Sequence, residues 1–339
     1  MSLEEFLAEW QHDSPYMVVR TSGSTGAPKE MRVEKRRMEA SARMTCQFLG
    51  LKKDDTALLC MPLDYIAGKM MVVRALTCGL RLINVEPNGH PMAEITQRNR
   101  PYCVNYTAEP TLLCNFQLSF AAMVPLQVWN SLQVPEERER LMQIRQLIIG
   151  GGAVDDELAQ MLVDFPNQVW STYGMTETLS HIALRRLNGP DASEWYTPFE
   201  GVNISQDAEG CLVIDAPAVC ANPLTTNDIA IVEQGRFRIV GRRDNVVCSG
   251  GLKIQIEEVE RQLRPYVRVP FIITKRKDPK FGEALVMLTE GPVEAAKEYC
   301  SCLLPKHWQP RFYLHVSHVP LTETGKPARG QAQKIAEIA

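Results

Sequence analysis

Short aliphatic runs alternating with stretches of helical periodicity constrain this chain more than any other feature. Tyr16-Met-Val-Val-Arg20 and Ala57-Leu-Leu-Cys60 have strand character, and residues 34–49 between them follow a helical pattern. The pattern returns at Gln146-Leu-Ile-Ile149 and Gln168-Val-Trp170, with a helix over 155–164 between them. Such alternation predicts an α/β fold, a sheet with helices packed on it. In folds of that kind, phosphate-bearing ligands bind beyond the ends of the strands. After Pro198 the texture changes to short strands: Cys211-Leu-Val-Ile-Asp215, Ile229-Ala-Ile-Val232 and Arg236-Phe-Arg-Ile-Val240, the last two flanking Gln234-Gly235 as a hairpin. Residues 1–243 therefore read as a large α/β lobe with a β-rich subdomain over about 198–243. Residues 244–339 read as a small α+β domain, with strands at Val246-Val247, Phe271–Thr274 and Phe312–Val316, a Gly250-Gly251 turn and a helix over 257–263.

Composition narrows the class of protein. Apolar residues make up 45% of the 339 and charged residues 23%, ordinary globular usage with room for two domains. A net charge of −3 lacks the cationic excess of a general nucleic-acid or membrane-surface binder. The 10 cysteines are scattered from Cys46 to Cys302 without a CxxC pair, which fits reduced thiols. The start, MSLEEFLAE, is acidic and amphipathic rather than a signal peptide, and no apolar run approaches a membrane span. The expected location is the cytoplasm.

The segment Arg20-Thr-Ser-Gly-Ser-Thr-Gly-Ala-Pro-Lys29 carries the most chemistry. Gly23 and Gly26 allow tight turns that present backbone amides, Thr21, Ser22, Ser24 and Thr25 supply hydroxyl donors, and Lys29 adds a cation. That set suits a triphosphate. It is not a Walker A sequence, because Pro28 stands where the glycine before the lysine belongs and no hydroxyl residue follows Lys29. Taken alone, it also reads as a polar surface loop.

Residues 21–29 resemble the phosphate loop of the adenylate-forming superfamily, which includes acyl-CoA synthetases, peptide-synthetase adenylation domains and firefly luciferase. The resemblance continues in the family's order. Gly150-Gly151-Gly152-Ala153 is similar to the glycine-rich turn at the adenine, and Tyr173-Gly-Met-Thr176-Glu177 to the nucleotide-site motif. Thr226-Asn227-Asp228 stands for a Thr-Gly-Asp element, with Asn227 in place of its glycine. Gly241-Arg242-Arg243-Asp244 and Ser249-Gly250-Gly251 resemble the hinge and the loop after it, on the coenzyme A side. Thr324-Gly-Lys326 with Arg329 resembles the C-terminal lysine motif.

The resemblance implies ATP, Mg²⁺ and coenzyme A as cofactor and co-substrates, and a small C-terminal domain that is mobile. Glu177 would hold Mg²⁺, which binds through one or two carboxylates plus phosphate oxygens. Thr176 would share the catalytic motif. Asp228 would accept the ribose hydroxyls with Arg242 close by, and Tyr173 would stack on adenine beside Gly151, Gly152 and Ala153. Outside that register Glu177 is a surface glutamate, Asp228 a turn former and Tyr173 a core tyrosine. Lys326 would stabilise the anion that develops when a carboxylate attacks the α-phosphorus. Otherwise it is a solvated charge. Asp244 would act as the hinge about which the small domain turns between adenylation and thioester formation.

The acid is addressed by one local segment. Met61-Pro-Leu-Asp-Tyr65-Ile-Ala-Gly68 resembles the family's Leu-Pro-Leu-Phe-His-x-Ser-Gly stretch, with Tyr65 replacing histidine and Ala67 replacing serine. Arg74 follows inside the apolar run Met70 to Leu76. An arginine there is either buried and suited to a bidentate carboxylate, or it snorkels to solvent from an amphipathic helix. Its register resembles the o-succinylbenzoate CoA ligases of menaquinone biosynthesis, in which an arginine is thought to engage a substrate carboxylate. Tyr65 and Gly68 would line the same acid site. A further departure is length, since full-sized relatives carry well over a hundred residues before the phosphate loop. This implies a shortened ligase in which either the first subdomain is dispensable or a partner subunit, such as a second copy, covers the flank. Three functions are compatible with the sequence. They are an acid:CoA ligase, with o-succinylbenzoate or another aryl or acyl acid; an adenylating enzyme with a carrier thiol or amine as acceptor; and a non-catalytic nucleotide binder.

Overall fold

The computed structural model describes residues 1–20, 30–95, 102–103, 117–322 and 327–339. They divide into two compact units. One comprises Met1–Ile204, Ile214–Leu224 and Glu233–Phe237, and the other Ser205–Val213, Thr225–Val232 and Arg238–Ala339. Both are α/β in texture, as the alternation of strand and helix patterns predicts.

The first unit is built on an eight-stranded sheet. Its strands Gln168–Met175, Gln146–Ile149, Phe120–Met123, Thr56–Leu59 and Arg81–Asn84 run parallel in that spatial order. Antiparallel strands continue it at both ends, Ser180–Arg186 with Thr197–Pro198 at one and Tyr102–Cys103 at the other. Every residue of Thr56–Leu59, Phe120–Met123 and Gln146–Ile149 is buried, which is why, past the polar Thr56 and Gln146, these strands are apolar without alternation. The helices Lys35–Phe48 and Ile66–Cys78 pack on each other, and both meet strand Ser180–Arg186.

The helix Ile66–Cys78 is unusual in burying residues all round, from Gly68 through Ala75, including Lys69 and Arg74. It ends at Gly79, whose φ of 69° is the left-handed C-terminal stop that glycine takes without cost. Gly68 permits its start: a side chain there would collide with the Pro62 carbonyl.

The second unit holds most of a four-stranded sheet in the order Asn203–Gln206, Cys211–Asp215, Leu224–Glu233, Arg236–Arg242. Gln234 and Gly235 both have positive φ, as a two-residue hairpin turn requires. The unit also holds a five-stranded sheet of Leu252–Gln255, Val246–Ser249, Gly282–Thr289, Phe271–Asp278 and Phe312–His315. Alternation along Gly282–Thr289 supplies two cores. Leu285 and Met287 face helices Ile256–Leu263 and Val293–Leu303, while Val286 and Leu288 face helix Arg329–Ile338.

That last helix is tied down at its first residue. Arg329 makes a two-pronged pair with Glu260, at 2.6 and 2.8 Å, and donates to the Ile273 carbonyl at 2.7 Å. Glu260 is only 3% exposed and also accepts the Ile273 amide at 2.8 Å. Removing the arginine leaves the buried carboxylate with the Ile273 amide and the half-exposed Arg264, 3.7 Å away. Arg329→Ala is therefore expected to destabilise the second unit by about 3 kcal/mol in denaturant unfolding, and a loss within experimental error would contradict the anchoring role.

Candidate active site

Parallel strands deliver their carboxyl ends to one edge of the sheet, and the sequence-predicted site residues of the first unit leave from that edge. Met61 to Gly68 follows Thr56–Leu59, Gly150 to Ala153 follows Gln146–Ile149, and Thr176-Glu177 follows Gln168–Met175. Crevices at such edges are where α/β sheets take up ligands.

Thr21, Ser22, Gly23, Ser24, Thr25, Gly26, Lys29 and Lys326 lie outside the described residues. On either side of the first segment, Tyr16–Arg20 and Glu30–Glu34 pair antiparallel, with Arg20 opposite Glu30 and bonded to it at 2.9 Å. Thr322 and Pro327 flank Lys326 among the described residues, two positions before the Arg329 anchor.

The glycines after Gln146–Ile149 are there for space and for conformation. A side chain on Gly150 would collide with the Thr172 hydroxyl, and Gly151 has a φ of +75°. Tyr173, on the neighbouring strand, meets the ring of Phe237 edge-on at 5.0 Å and that of Tyr196 at 5.8 Å. Thr176 is buried and begins a short 3-10 turn, Thr176–Thr178. Glu177, in the same turn, is exposed. No group of three or more His, Cys, Asp or Glu among the described residues is arranged to hold a metal. A cation there would be held by the Glu177 carboxylate together with oxygens of a bound phosphate, the habit of Mg²⁺.

Just beyond this turn the backbone is strained. Leu179 has a φ of +56° and Ser180 a φ of +123°, conformations that side-chain-bearing residues rarely adopt. Hydroxyl groups hold both carbonyls: Ser41 Oγ donates to Leu179 O at 3.2 Å, and Thr178 Oγ1 to Ser180 O at 2.6 Å. The facing strand shifts register between Tyr173 and Gly174, and a side chain on Gly174 would strike Ser180 O and His181 Cα. Consecutive side chains of a regular strand point to opposite faces. Here the distortion brings Ser180 Oγ and His181 Nδ1 to 3.1 Å.

Ser180 meets Arg74. The arginine is 1% exposed, so its charge is buried and does not snorkel to solvent. Its Nη2 donates to Ser180 Oγ at 3.0 Å, and among the described residues Nη1 reaches only the Met71 sulfur at 3.7 Å and Nε has no hydrogen-bond partner. No carboxylate pairs with it among the described residues. Burial lowers its pKa to about 10 against the opposing influence of the Cys46 and Cys78 thiols. A buried cation lacking a counter-charge is a standing energetic cost, and a bound anion would remove it. Tyr65 precedes the helix that carries Arg74 and is half-buried.

In the second unit, Asp228 is paired with Arg242 at 3.1 Å, and Arg242 also reaches Asp244 at 3.3 Å. Asn227, the residue that departs from the family glycine, uses both ends of its amide. It donates to Asp244 Oδ2 at 3.1 Å and accepts from Arg243 at 2.7 Å, while Arg243 pairs with Glu209. Ser249 leads into Gly250 and Gly251, whose φ values of +59° and +84° close the hairpin between Val246–Ser249 and Leu252–Gln255.

The site also includes Thr45, Ser180 and His181, which sequence reasoning did not reach. Thr45 and His181 are 136 positions apart and meet only because helix Lys35–Phe48 packs on strand Ser180–Arg186. No local pattern marks them.

The family model for AMP-binding enzymes matches residues 4–216. Among curated proteins the chain is similar to a 2-succinylbenzoate–CoA ligase of Salmonella typhimurium, at 26% identity over 87% of this chain and 62% of the relative. It is also similar to one of Bacillus thuringiensis, at 23% identity over 94% of this chain and 70% of the relative. The chain thus spans about two thirds of the length of these relatives. Among solved structures it is similar to an acyl-CoA synthetase (AMP-forming)/AMP-acid ligase II-like protein from Dyadobacter fermentans, with TM-score 0.64, 29% identity, and 98% and 92% of the two chains covered. The fold is shared with O-succinylbenzoate coenzyme A synthetase from Bacillus subtilis in complex with ATP and magnesium ion, at TM-score 0.73 and 20% identity over 95% of this chain and 70% of that one. With well over half of its residues matched by the family model, the chain belongs to the AMP-binding enzyme family.

Proposed function

We propose that the chain is an AMP-forming acid:CoA ligase whose acid is o-succinylbenzoate, which would place it in menaquinone biosynthesis. The observation that carries the choice of acid is the buried Arg74 guanidinium with an unpartnered Nε and no carboxylate partner among the described residues. A dicarboxylic acid answers both needs of such a site. One carboxylate neutralises the guanidinium while the other reacts.

In the first step the reacting carboxylate oxygen attacks the α-phosphorus of ATP, the bond to the bridging oxygen breaks, and pyrophosphate leaves the acyl-AMP. The backbone and hydroxyls of residues 21–26 with Lys29 would bind the phosphates, and Lys326 would stabilise charge growing on them. Mg²⁺, held by Glu177, would neutralise phosphate charge. Asp228, steadied by Arg242, would take the ribose hydroxyls, and Tyr173 the adenine beside Gly151, Gly152 and Ala153. In the second step the thiolate sulfur of coenzyme A attacks the acyl carbon, AMP departs, and Ser249-Gly250-Gly251 lies on the thiol side. Between steps the domain from residue 244 onward would turn about Asp244, withdrawing Lys326.

Two substitutions test this reading. Lys326→Ala is expected to lower acid-dependent pyrophosphate release by about a hundredfold or more, while a supplied acyl-adenylate is still converted to thioester. Adenylate formation at the normal rate in that variant would remove Lys326 from the first step. Arg74→Ala is expected to lower kcat/KM for o-succinylbenzoate by about a hundredfold, measured beside fatty, aryl and amino acids. Retained efficiency would dispose of the dicarboxylate anchor.

A further inference from the structure

The guanidinium of Arg74 is one end of a buried hydrogen-bond chain that runs through Ser180, His181 and Thr45 to the Ser41 carbonyl. Thr45 Oγ1 lies 3.1 Å from the Ser41 carbonyl, which can only accept, so the single Thr45 hydroxyl proton is used there. His181 Nε2, 3.1 Å from the same Oγ1, is the donor in the tautomer that lets Thr45 keep that bond. Burial, and after it the Arg74 cation, hold the His181 pKa well below the usual histidine range, so the ring is neutral, and in that tautomer its one proton is on Nε2. Nδ1 is therefore an acceptor and takes the Ser180 hydroxyl proton across 3.1 Å. Ser180 Oγ in turn accepts from Arg74 at 3.0 Å. Each donor points away from the guanidinium, from Arg74 to Ser180 to His181 to Thr45 to the Ser41 carbonyl. Ser41, Thr45 and His181 are all buried.

Direction matters here. With the proton on Nδ1, the histidine would donate to Ser180, whose oxygen has lone pairs for both the ring and Arg74, and the ring would no longer hold the Ser180 hydroxyl proton. An imidazolium would add a second buried cation beside the first. The arrangement leaves Ser180 Oγ as an acceptor toward Arg74 and fixes one Nη group, while Nε has no partner among the described residues. The strained backbone at Leu179 and Ser180 and the bare Cα of Gly174 are what allow the two consecutive side chains to join the chain.

We propose that Ser180, His181 and Thr45 are positioning residues that orient Arg74, through this one-way hydrogen-bond chain, to receive the second carboxylate of the acid. The inference rests on the reading of Arg74 as the carboxylate anchor, and it deepens that reading by naming what sets the anchor's orientation. Thr45 touches neither Arg74 nor the reacting atoms in this scheme, so its effect must pass through the ring of His181.

Thr45→Val and Thr45→Ser separate hydrogen bonding from packing, since the first keeps the shape and the second keeps the hydroxyl. Pyrophosphate release with o-succinylbenzoate is expected to show KM for the acid raised about tenfold in Thr45→Val, with KM for ATP unchanged and Thr45→Ser close to the unsubstituted enzyme. Equal behaviour of the two variants, or a parallel change in the constants for acid and ATP, would overturn the proposal. If Arg74→Ala loses the dicarboxylate while Thr45→Val does not, the anchor stands and the positioning chain falls. If Arg74→Ala loses nothing, both fall. Imidazole ¹⁵N spectra of the unsubstituted protein, with His181 assigned by its loss in His181→Phe, test the chain without any kinetics. A neutral ring protonated on Nε2 at neutral pH is expected, and an Nδ1-protonated ring or an imidazolium would overturn the assignment.

Discussion

A guanidinium buried between two helices and a strand has to be answered by its surroundings, and much of the first unit's local architecture around Arg74 is arranged to do so. The helix Ile66–Cys78 carries the charge into the interior, the helix Lys35–Phe48 supplies Ser41 and Thr45, and strand Ser180–Arg186 supplies the serine and histidine between them. The answer is incomplete. Hydrogen bonding satisfies one side of the guanidinium, and no anion balances its charge among the described residues. Burying an unpaired ion costs several kcal/mol even after the protein relaxes, so a site kept in this condition is set to gain when an anion arrives.

Backbone strain at Leu179 and Ser180 belongs to the same account. Positive φ at two consecutive side-chain-bearing residues costs on the order of 1–3 kcal/mol each. It is held by the Ser41 and Thr178 hydroxyls and made sterically possible by Gly174. The distortion lies two and three residues beyond Glu177, so the segment that would hold the metal and the segment that orients Arg74 are one continuous stretch. The proposed nucleotide chemistry and acid recognition would thereby lie next to each other along the chain.

Much of the framework was legible in the sequence because burial leaves a compositional trace. Gln146-Leu-Ile-Ile149 reads as a buried strand and is one, and Gln234-Gly235 reads as a hairpin turn and has the two positive φ values such a turn needs. Arg74 was half legible: its apolar flanks posed the choice between burial and snorkelling, and packing decided it. Thr45, Ser180 and His181 were not legible, because their partnership is made by helix-on-strand packing and by a backbone distortion that no residue pattern announces. Asn227 stood out as a departure from the family glycine, yet only the fold gives its amide partners in Arg243 and Asp244. Gly68, expected at the acid site, also meets a steric need set by the Pro62 carbonyl, which only the fold reveals.

The central claim is that the buried charge of Arg74 selects an acid with a second carboxylate. The most direct test alters the acid and leaves the protein untouched: pyrophosphate release with o-succinylbenzoate is compared with release using the analogue whose non-reacting carboxylate is a carboxamide. The account expects kcat/KM to fall by about a hundredfold for the amide, since the charge-assisted contact is lost while size and shape are kept. Equal efficiency with the two acids would contradict it.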